Sequence, residues 1–389
     1  MSQESRGREE IMRIALVVEN FSRSGGGVEY AVWQLAQAFC ELGDDVHVVA
    51  RAGEEQAGVT LHRVSVPTFW QPWRVLAFSR AAGEVVRQQD FDVVHAFSPT
   101  RSQDILHAGG GSHAAYMEHA YGGWGRLIRT LSPRHRVRLH MERHVLRGTR
   151  QRVQCVSEQG AREFSRYYSP DPHRLFVVPY GVDAQHFSPD AESGKRRSMR
   201  EEWGGADGTV WLFPGSGFRR KGLATALSAL SLCEDQTARL WVVGRDKTRR
   251  WRRRARALGV EDRVFFLGFR EDMPALYQAS DGMILPTRYD AWGLVCLEAS
   301  ASGRPVITSA QCGASESLGS MARVVDRADD VRGFAEALDH FSDAGQRARA
   351  GEEGRLVAEG LGWSDCAASL REAYAQVDHA HQEGSTRAG

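Results

Sequence analysis

The chain has no long apolar run, no closely spaced cysteine pair and almost no net charge, and each absence removes a class of protein. No stretch approaches the roughly 18 apolar residues of a membrane span. Residues 1–10 are polar and mixed in charge, without the apolar core of a secretory signal. The six cysteines (Cys40, Cys155, Cys233, Cys296, Cys312 and Cys366) are scattered, with no C-x-x-C pair. That spacing disfavours a zinc site or a disulfide framework and reads as buried, reduced thiols. These absences predict a chain made and kept in the cytoplasm. A formal net charge of +1 gives no global preference for an anionic or cationic partner, although it conceals local clusters. No repeat of solenoid period is present.

A length of 389 residues with 42% hydrophobic and 25% charged residues describes a soluble globular protein too long for one ordinary core. Short β-branched runs alternate with helical stretches. Arg13–Val18, Val46–Ala50, Phe91–His95 and Val153–Val156 read as strands, and Val28–Leu42 carries helical spacing. The pattern then restarts with strands at Val210–Phe213, Arg239–Val243, Val264–Leu267, Gly282–Leu285 and Pro305–Thr308, and a helix over Gly222–Leu232. Such alternation predicts an α/β protein of two doubly wound, parallel-sheet, Rossmann-like domains. The expected divisions are residues 12–182, 208–345 and a helical tail at 346–377. The polar, Gly- and Pro-containing interval 181–208 reads as the linker. His379–Gly389 has the composition of a disordered end.

Ligands of doubly wound sheets sit beyond the carboxyl ends of strands, so the loops there carry the chemistry. Gly25-Gly26-Gly27-Val28-Glu29 follows the first strand and opens a helix, where glycines let backbone N–H groups approach a phosphate or sugar. A nicotinamide site is disfavoured: Tyr30 occupies the third glycine position of G-x-G-x-x-G, and Arg51 stands where a ribose-binding acid belongs. A tight turn of purely structural purpose stays open. Gly215–Gly222 is not a P-loop, but it sets Arg220 and Lys221 at the mouth of a helix, placed to neutralise a diphosphate leaving group. A solvated basic turn is the alternative. His107 precedes Gly109-Gly110-Gly111, where the backbone is open to a ligand; His95 and His113 are weaker candidates. Tyr289–Ala299 places Asp290 and Glu298 across a glycine turn and a helix start. Backbone N–H groups of Gly293, Leu294 and Val295 would face a diphosphate. Glu298 is placed to accept hydrogen bonds from two ribose hydroxyls, and Asp290 to bind hydroxyls of a transferred sugar. An ordinary acidic helix start is the competing reading.

In order along residues 12–377, the chain resembles the retaining glycosyltransferases of family 4, which have the two-domain GT-B fold. The resemblance rests on Asp290-x7-Glu298 in place of E-x7-E, Gly26-Gly27-Val28-Glu29, Phe218–Gly222 and Gly313-Ala314-Ser315-Glu316. Val156-Ser157-Glu158 and Val178–Asp183 complete it. It implies an acceptor-side first domain, a nucleotide-sugar-binding second domain, and final helices that cross back to the first. It also implies Glu298 on the ribose, Asp290 on the donor sugar, Arg220 and Lys221 on the departing diphosphate, and His107 near the sugar's 6-hydroxyl. Gly26 and Gly27 would make room for donor and acceptor. The family's front-face attack uses positioning and charge stabilisation rather than a metal or other cofactor. Two residues depart from the family pattern: Asp290 replaces a glutamate, and Tyr180 replaces an asparagine.

Residues 122–152 carry nine arginines against one acid, Glu142, with apolar residues interleaved. This basic amphipathic stretch is suited to an anionic inner-membrane surface, with a solvated, salt-bridged helix as the alternative. A second basic cluster spans Arg245–Arg256. No nucleic-acid motif accompanies either, so nucleic acid is not expected as a partner. Within family 4 the chain most resembles bacterial lipopolysaccharide core glucosyltransferases. That implies UDP-glucose as donor and a lipid-linked or polysaccharide acceptor at the cytoplasmic membrane face. Rival readings are a mannosyl- or other hexosyltransferase of capsule or exopolysaccharide assembly, a non-catalytic sugar-nucleotide binding protein, and a nucleotide-sugar epimerase.

Overall fold

Strands that are apolar on both faces need helices on both sides, and the backbone meets that requirement twice. The computed structural model describes residues 11–67, 70–98, 100, 102–120, 132–147, 151–189, 193–205 and 207–377. The first sheet contains β1 (Arg13–Phe21), β2 (Asp45–Gly53), β3 (Val59–Arg63), β4 (Val93–Ala96), β5 (Ile105–His107), β6 (Arg152–Cys155) and β7 (Leu175–Val177). The second contains β8 (Val210–Pro214), β9 (Arg239–Val243), β10 (Val264–Gly268), β11 (Gly282–Leu285), β12 (Val306–Ser309) and β13 (Ala322–Val325). Their spatial orders are β3-β2-β1-β4-β5-β6-β7 and β10-β9-β8-β11-β12-β13, with parallel pairing throughout. In each order the chain reverses its winding beside the first strand. The crevices lie there, at the carboxyl ends of β1/β4 and β8/β11.

Four strands were not expected from the sequence: β3, β5, β7 and β13. His107 therefore ends a strand instead of lying within a loop. The expected linker also contains a helix, Ser193–Glu202. Arg196 and Arg200 on that helix grip Asp281, just before β11, at 2.7 and 2.8 Å. All six cysteines are free, but Cys40 is only half-buried. The expectations for residues 1–10, 122–131, 148–150 and 379–389 lie outside the described residues.

The final helices, Ala344–Glu359 and Trp363–Tyr374, cross back to the first half. Tyr374 packs on Phe39 and its hydroxyl meets His95 Nδ1 at 2.7 Å. Arg371 pairs with Asp44 at 3.3 Å, and Arg152 donates to the Ala373 carbonyl at 2.7 Å. The apolar core consequently runs without a break from β1 through these helices to the second sheet. Among the described residues, no helix is long and apolar enough to cross a membrane.

Where the outgoing chain passes the returning one, Val182 N–H donates to the Leu361 carbonyl at 2.8 Å. A methyl group on Gly181 would lie 2.6 Å from the Gly362 backbone. Backbone against backbone has no flexible end to yield, so Gly181→Ala is expected to destabilise the chain by about 2 kcal/mol. Urea unfolding measures this, and an unchanged midpoint with an unchanged slope would contradict it.

Candidate functional site

The turn after β1 and the turn after β11 meet. The helix Gly27–Glu41 begins at the first, with Gly26 as its N-cap. A methyl group built on Gly27 would sit 3.7 Å from the side chain of Leu294, first residue of the helix Leu294–Ala301. Two helix N-termini, each entered through glycine, thus face one crevice. Both bring partial positive charge and unmatched N–H groups to it. Gly293 has φ +93°, a left-handed backbone that favours glycine, and a side chain there would begin 2.6 Å from Cys312 Sγ. Among the described residues, the N–H groups of Gly293, Leu294 and Val295 meet no backbone carbonyl, whereas Cys296 N–H already closes a turn on the Gly293 carbonyl at 2.9 Å.

The loop after β8 delivers the cations. Gly222 is also left-handed (φ +81°), and a side chain there would strike the Pro286 carbonyl. This close approach stitches the loop to the segment after β11. Arg288 N–H donates to the Arg220 carbonyl at 2.8 Å, and the Arg220 guanidinium to the Tyr289 carbonyl at 2.8 Å. Lys221 is 8% exposed, and its ammonium pairs with Asp290 Oδ2. Arg220 stands 3.8 Å from the same oxygen. Burial pushes the Asp290 carboxyl up, but the Lys221 and Arg220 charges outweigh it and hold it below the usual carboxylate range. The residue expected on the donor sugar and those expected on the diphosphate are therefore one electrostatic unit.

Glu298 lies one turn into the Leu294–Ala301 helix. Tyr277 Oη donates to its Oε2 at 2.9 Å, and no described residue bonds its Oε1. Burial raises the Glu298 carboxyl to about 7; the Tyr277 hydrogen bond and the Lys221 charge oppose that rise only in part. Tyr30 faces this region from the first half, and its phenol is pushed up by burial and by the Glu298 and Asp183 charges. Tyr277 carried no sequence motif; only its contact with Glu298 marks it.

His107 is placed differently from the other candidates. It is buried, its Nδ1 lies 2.6 Å from Gln154 Oε1, and its Nε2 meets the Tyr180 hydroxyl. Gln154 spends its NH2 on the Val178 carbonyl at 2.9 Å. That direction makes His107 Nδ1 the donor and leaves Nε2 to accept from Tyr180. Burial lowers the imidazole to about 4, so the ring is neutral near pH 7. Both of its nitrogens are already engaged, and a side chain on Gly109 would collide with the His107–Tyr180 pair. The ring thus supports the glycine segment from beneath. His95 pairs with Tyr374, and His113 Nε2 lies 2.9 Å from His135 Nδ1.

Family comparison covers both walls of the crevice. A model of Glycosyltransferase Family 4 matches residues 25–186, and one of Glycosyl transferases group 1 matches residues 208–343. The chain belongs to the family 4 glycosyltransferases. This glycosyltransferase is 26% identical over 295 residues to lipopolysaccharide glucosyltransferase WaaG of Escherichia coli K12, spanning 74% of this chain and 78% of that relative. It is 31% identical over 242 residues to a D-inositol 3-phosphate glycosyltransferase of Xylanimonas cellulosilytica, spanning 57% of this chain and 56% of the relative. The crystal structure of WaaG superposes with a TM-score of 0.79 at 22% identity, over 94% of this chain and 100% of that one. Anabaena Alr3699/HepE in complex with UDP-glucose superposes with a TM-score of 0.71 at 17% identity, over 94% and 99%. These likenesses establish the GT-B fold.

Proposed function

We propose that this glycosyltransferase moves a hexose, with retention, from a nucleotide sugar to a lipid-linked or polysaccharide acceptor. UDP-glucose is the first donor to test and the lipopolysaccharide core the first acceptor. One observation carries the reading: Lys221, Arg220 and the N-terminus of the Leu294–Ala301 helix surround Asp290, with Glu298 one turn away. A diphosphate at the helix N-terminus gains two cations and three N–H donors. The adjoining carboxylate accepts ribose hydroxyls, and the Gly25–Gly27 turn leaves space opposite. Catalysis is then positioning plus stabilisation of the leaving charge. The UDP-glucose complex of HepE and the name of WaaG support this choice of donor and acceptor.

The membrane side of the proposal rests on the helix Pro133–Arg147. Arg136, Arg138 and Arg143 are exposed, while Glu142 is buried, accepting from His113 N–H at 2.7 Å and from Tyr168. The helix therefore turns basic residues outward with its one acid withdrawn. This suits an acceptor embedded in an anionic cytoplasmic leaflet, each basic residue contributing about 1 kcal/mol near such a surface.

Nucleoside diphosphate release from UDP-, GDP- and ADP-sugars tests the reading. Release should require an acceptor, with core glycolipid and inositol phosphate assayed side by side because relatives of both names exist. The product anomer should match the donor's. Because the chain supplies the cations, EDTA should leave the rate within about twofold of its untreated value. Acceptor-independent release would overturn the transferase reading, and loss of activity in EDTA restored by a divalent ion would overturn its metal-free form.

A further inference from the structure

The segment Tyr289–Gly293 carries Asp290 and starts the Leu294–Ala301 helix, so its placement sets the donor site. It is gripped from the opposite half. Tyr289 Oη donates to Glu163 Oε2 at 2.7 Å, and His119 stacks on the Tyr289 ring with centroids 5.3 Å apart. Ser157 Oγ donates to the Ala291 carbonyl at 2.9 Å. Behind the segment, Gly313 and Ala314 N–H groups donate to the Asp290 and Trp292 carbonyls at 2.9 and 2.7 Å. Two residues further on, the Glu316 carboxylate crosses to the first half. It accepts from the N–H groups of Glu158 and Gln159 at 2.7 and 2.8 Å and from Arg162 at 3.0 Å. Ser157, Glu158 and Gln159 form the cap and first turn of one helix, Glu158–Tyr168.

We propose that the first two turns of the Glu158–Tyr168 helix are a clasp that holds the donor-binding segment in register across the crevice. Ser157, Glu163 and Glu316 are its positioning residues. The inference rests on the transferase reading and adds to it the residues that hold the loop. First-turn N–H groups have no partner within their own helix, and the dipole there favours an anion. Glu316 supplies that anion from the other half only when the halves meet. Arg162 is largely exposed, so its ion pair adds little that water would not replace. The clasp can therefore release when the crevice opens and re-form when it closes.

Glu316→Gln tests it. The amide keeps the size but offers one oxygen to two N–H groups and turns its own NH2 toward the second. We expect kcat to fall between about tenfold and a hundredfold, as a misplaced donor loop requires. Affinity for the diphosphate that binds the wild type, among UDP, GDP and ADP, should stay within about twofold, because Lys221, Arg220 and Glu298 all lie in the second half. Small-angle scattering should show a larger radius of gyration for the unliganded variant. Glu163→Gln, which keeps an acceptor for Tyr289, should retain more activity than Glu163→Ala. Wild-type kcat in Glu316→Gln would overturn the clasp. So would parallel losses of kcat, nucleotide affinity and melting temperature, which would mark a role in folding. A wild-type chain that binds nucleotide but transfers no sugar would refute the transferase reading, leaving scattering to decide the clasp.

Discussion

Lys221→Ala is expected to lower kcat/KM for sugar transfer by about 10³-fold, with most of the loss in kcat. The ammonium is one of two side-chain cations at the N-terminus of the Leu294–Ala301 helix, and it sits in a slot that leaves it 8% exposed. Its terminal methylene lies 3.4 Å from where a side chain on Gly215 would begin, so the glycine turn closes over it. Removing it has two consequences at the leaving group. A charge that would offset the departing diphosphate disappears. The Asp290 carboxylate, stripped of its contacting ammonium and left with Arg220 at 3.8 Å, repels the same diphosphate. Stability should also fall, by about 2 kcal/mol, because a partly buried carboxylate loses its contacting cation. Adding Asp290→Asn should restore much of that stability and little of the activity. Lys221→Arg should recover only part of the rate, since a planar guanidinium does not fit a slot shaped for a point charge. Kinetics and thermal melts of the four chains decide this, and turnover of Lys221→Ala within about tenfold of wild type would remove Lys221 from the proposed mechanism.

Both sheets were legible where strands are buried on both faces, because a continuous β-branched run leaves little alternative. β1, β8, β11 and β12 are of this kind. The unforeseen strands are short, and three of them lie at sheet edges. β3, β7 and β13 are partly exposed and pair on one side only; β3 and β13 mix polar with apolar residues, and β7 is only three residues long. β5 is internal but only three residues long, and its neighbours β4 and β6 define it. The helix Ser193–Glu202 was hidden for another reason: its anchor, Asp281, lies some eighty residues away. The candidate site divides in the same way. Gly25–Gly27, Arg220, Lys221, Asp290 and Glu298 stand in loops or first turns after predicted strands, where a local reading looks for ligand contacts. The contacts of Tyr277 with Glu298, Tyr289 with Glu163 and Glu316 with Glu158 join residues 21, 126 and 158 positions apart. They exist only because the loops of one sheet dock on each other or on the other sheet. For His107, residue type and glycine neighbours suggest ligand contact, whereas its hydrogen bonds to Gln154 and Tyr180 are tertiary and leave no local sequence signal.

Glu298→Ala should also nearly abolish transfer, but with a different kinetic signature. The ribose is bound alike before and during the reaction, so losing its acceptor should raise the donor KM more than it lowers kcat. Two charge-assisted hydrogen bonds are at stake, together about 3–4 kcal/mol, or 10²–10³-fold in kcat/KM. The fold should tolerate the change, because Tyr277 Oη keeps the Val295 carbonyl at 3.2 Å. The intact residue carries a pH signature as well. Burial lifts the Glu298 carboxyl to about 7, so without ligand it is only partly ionised at neutral pH. Ribose hydroxyls donate best to the ionised form, so binding must expel the proton. Affinity should therefore rise with pH through about 7 and flatten above it. From pH 8 to pH 6 the ionised fraction drops about tenfold, and nucleotide affinity should drop with it. Calorimetry in buffers of different ionisation enthalpy should record a proton released near pH 6 by wild type and not by Glu298→Gln. The remaining pH dependence of that variant is the nucleotide phosphate's own. Superimposable affinity profiles for wild type and Glu298→Gln would mean that the ribose does not meet this carboxylate.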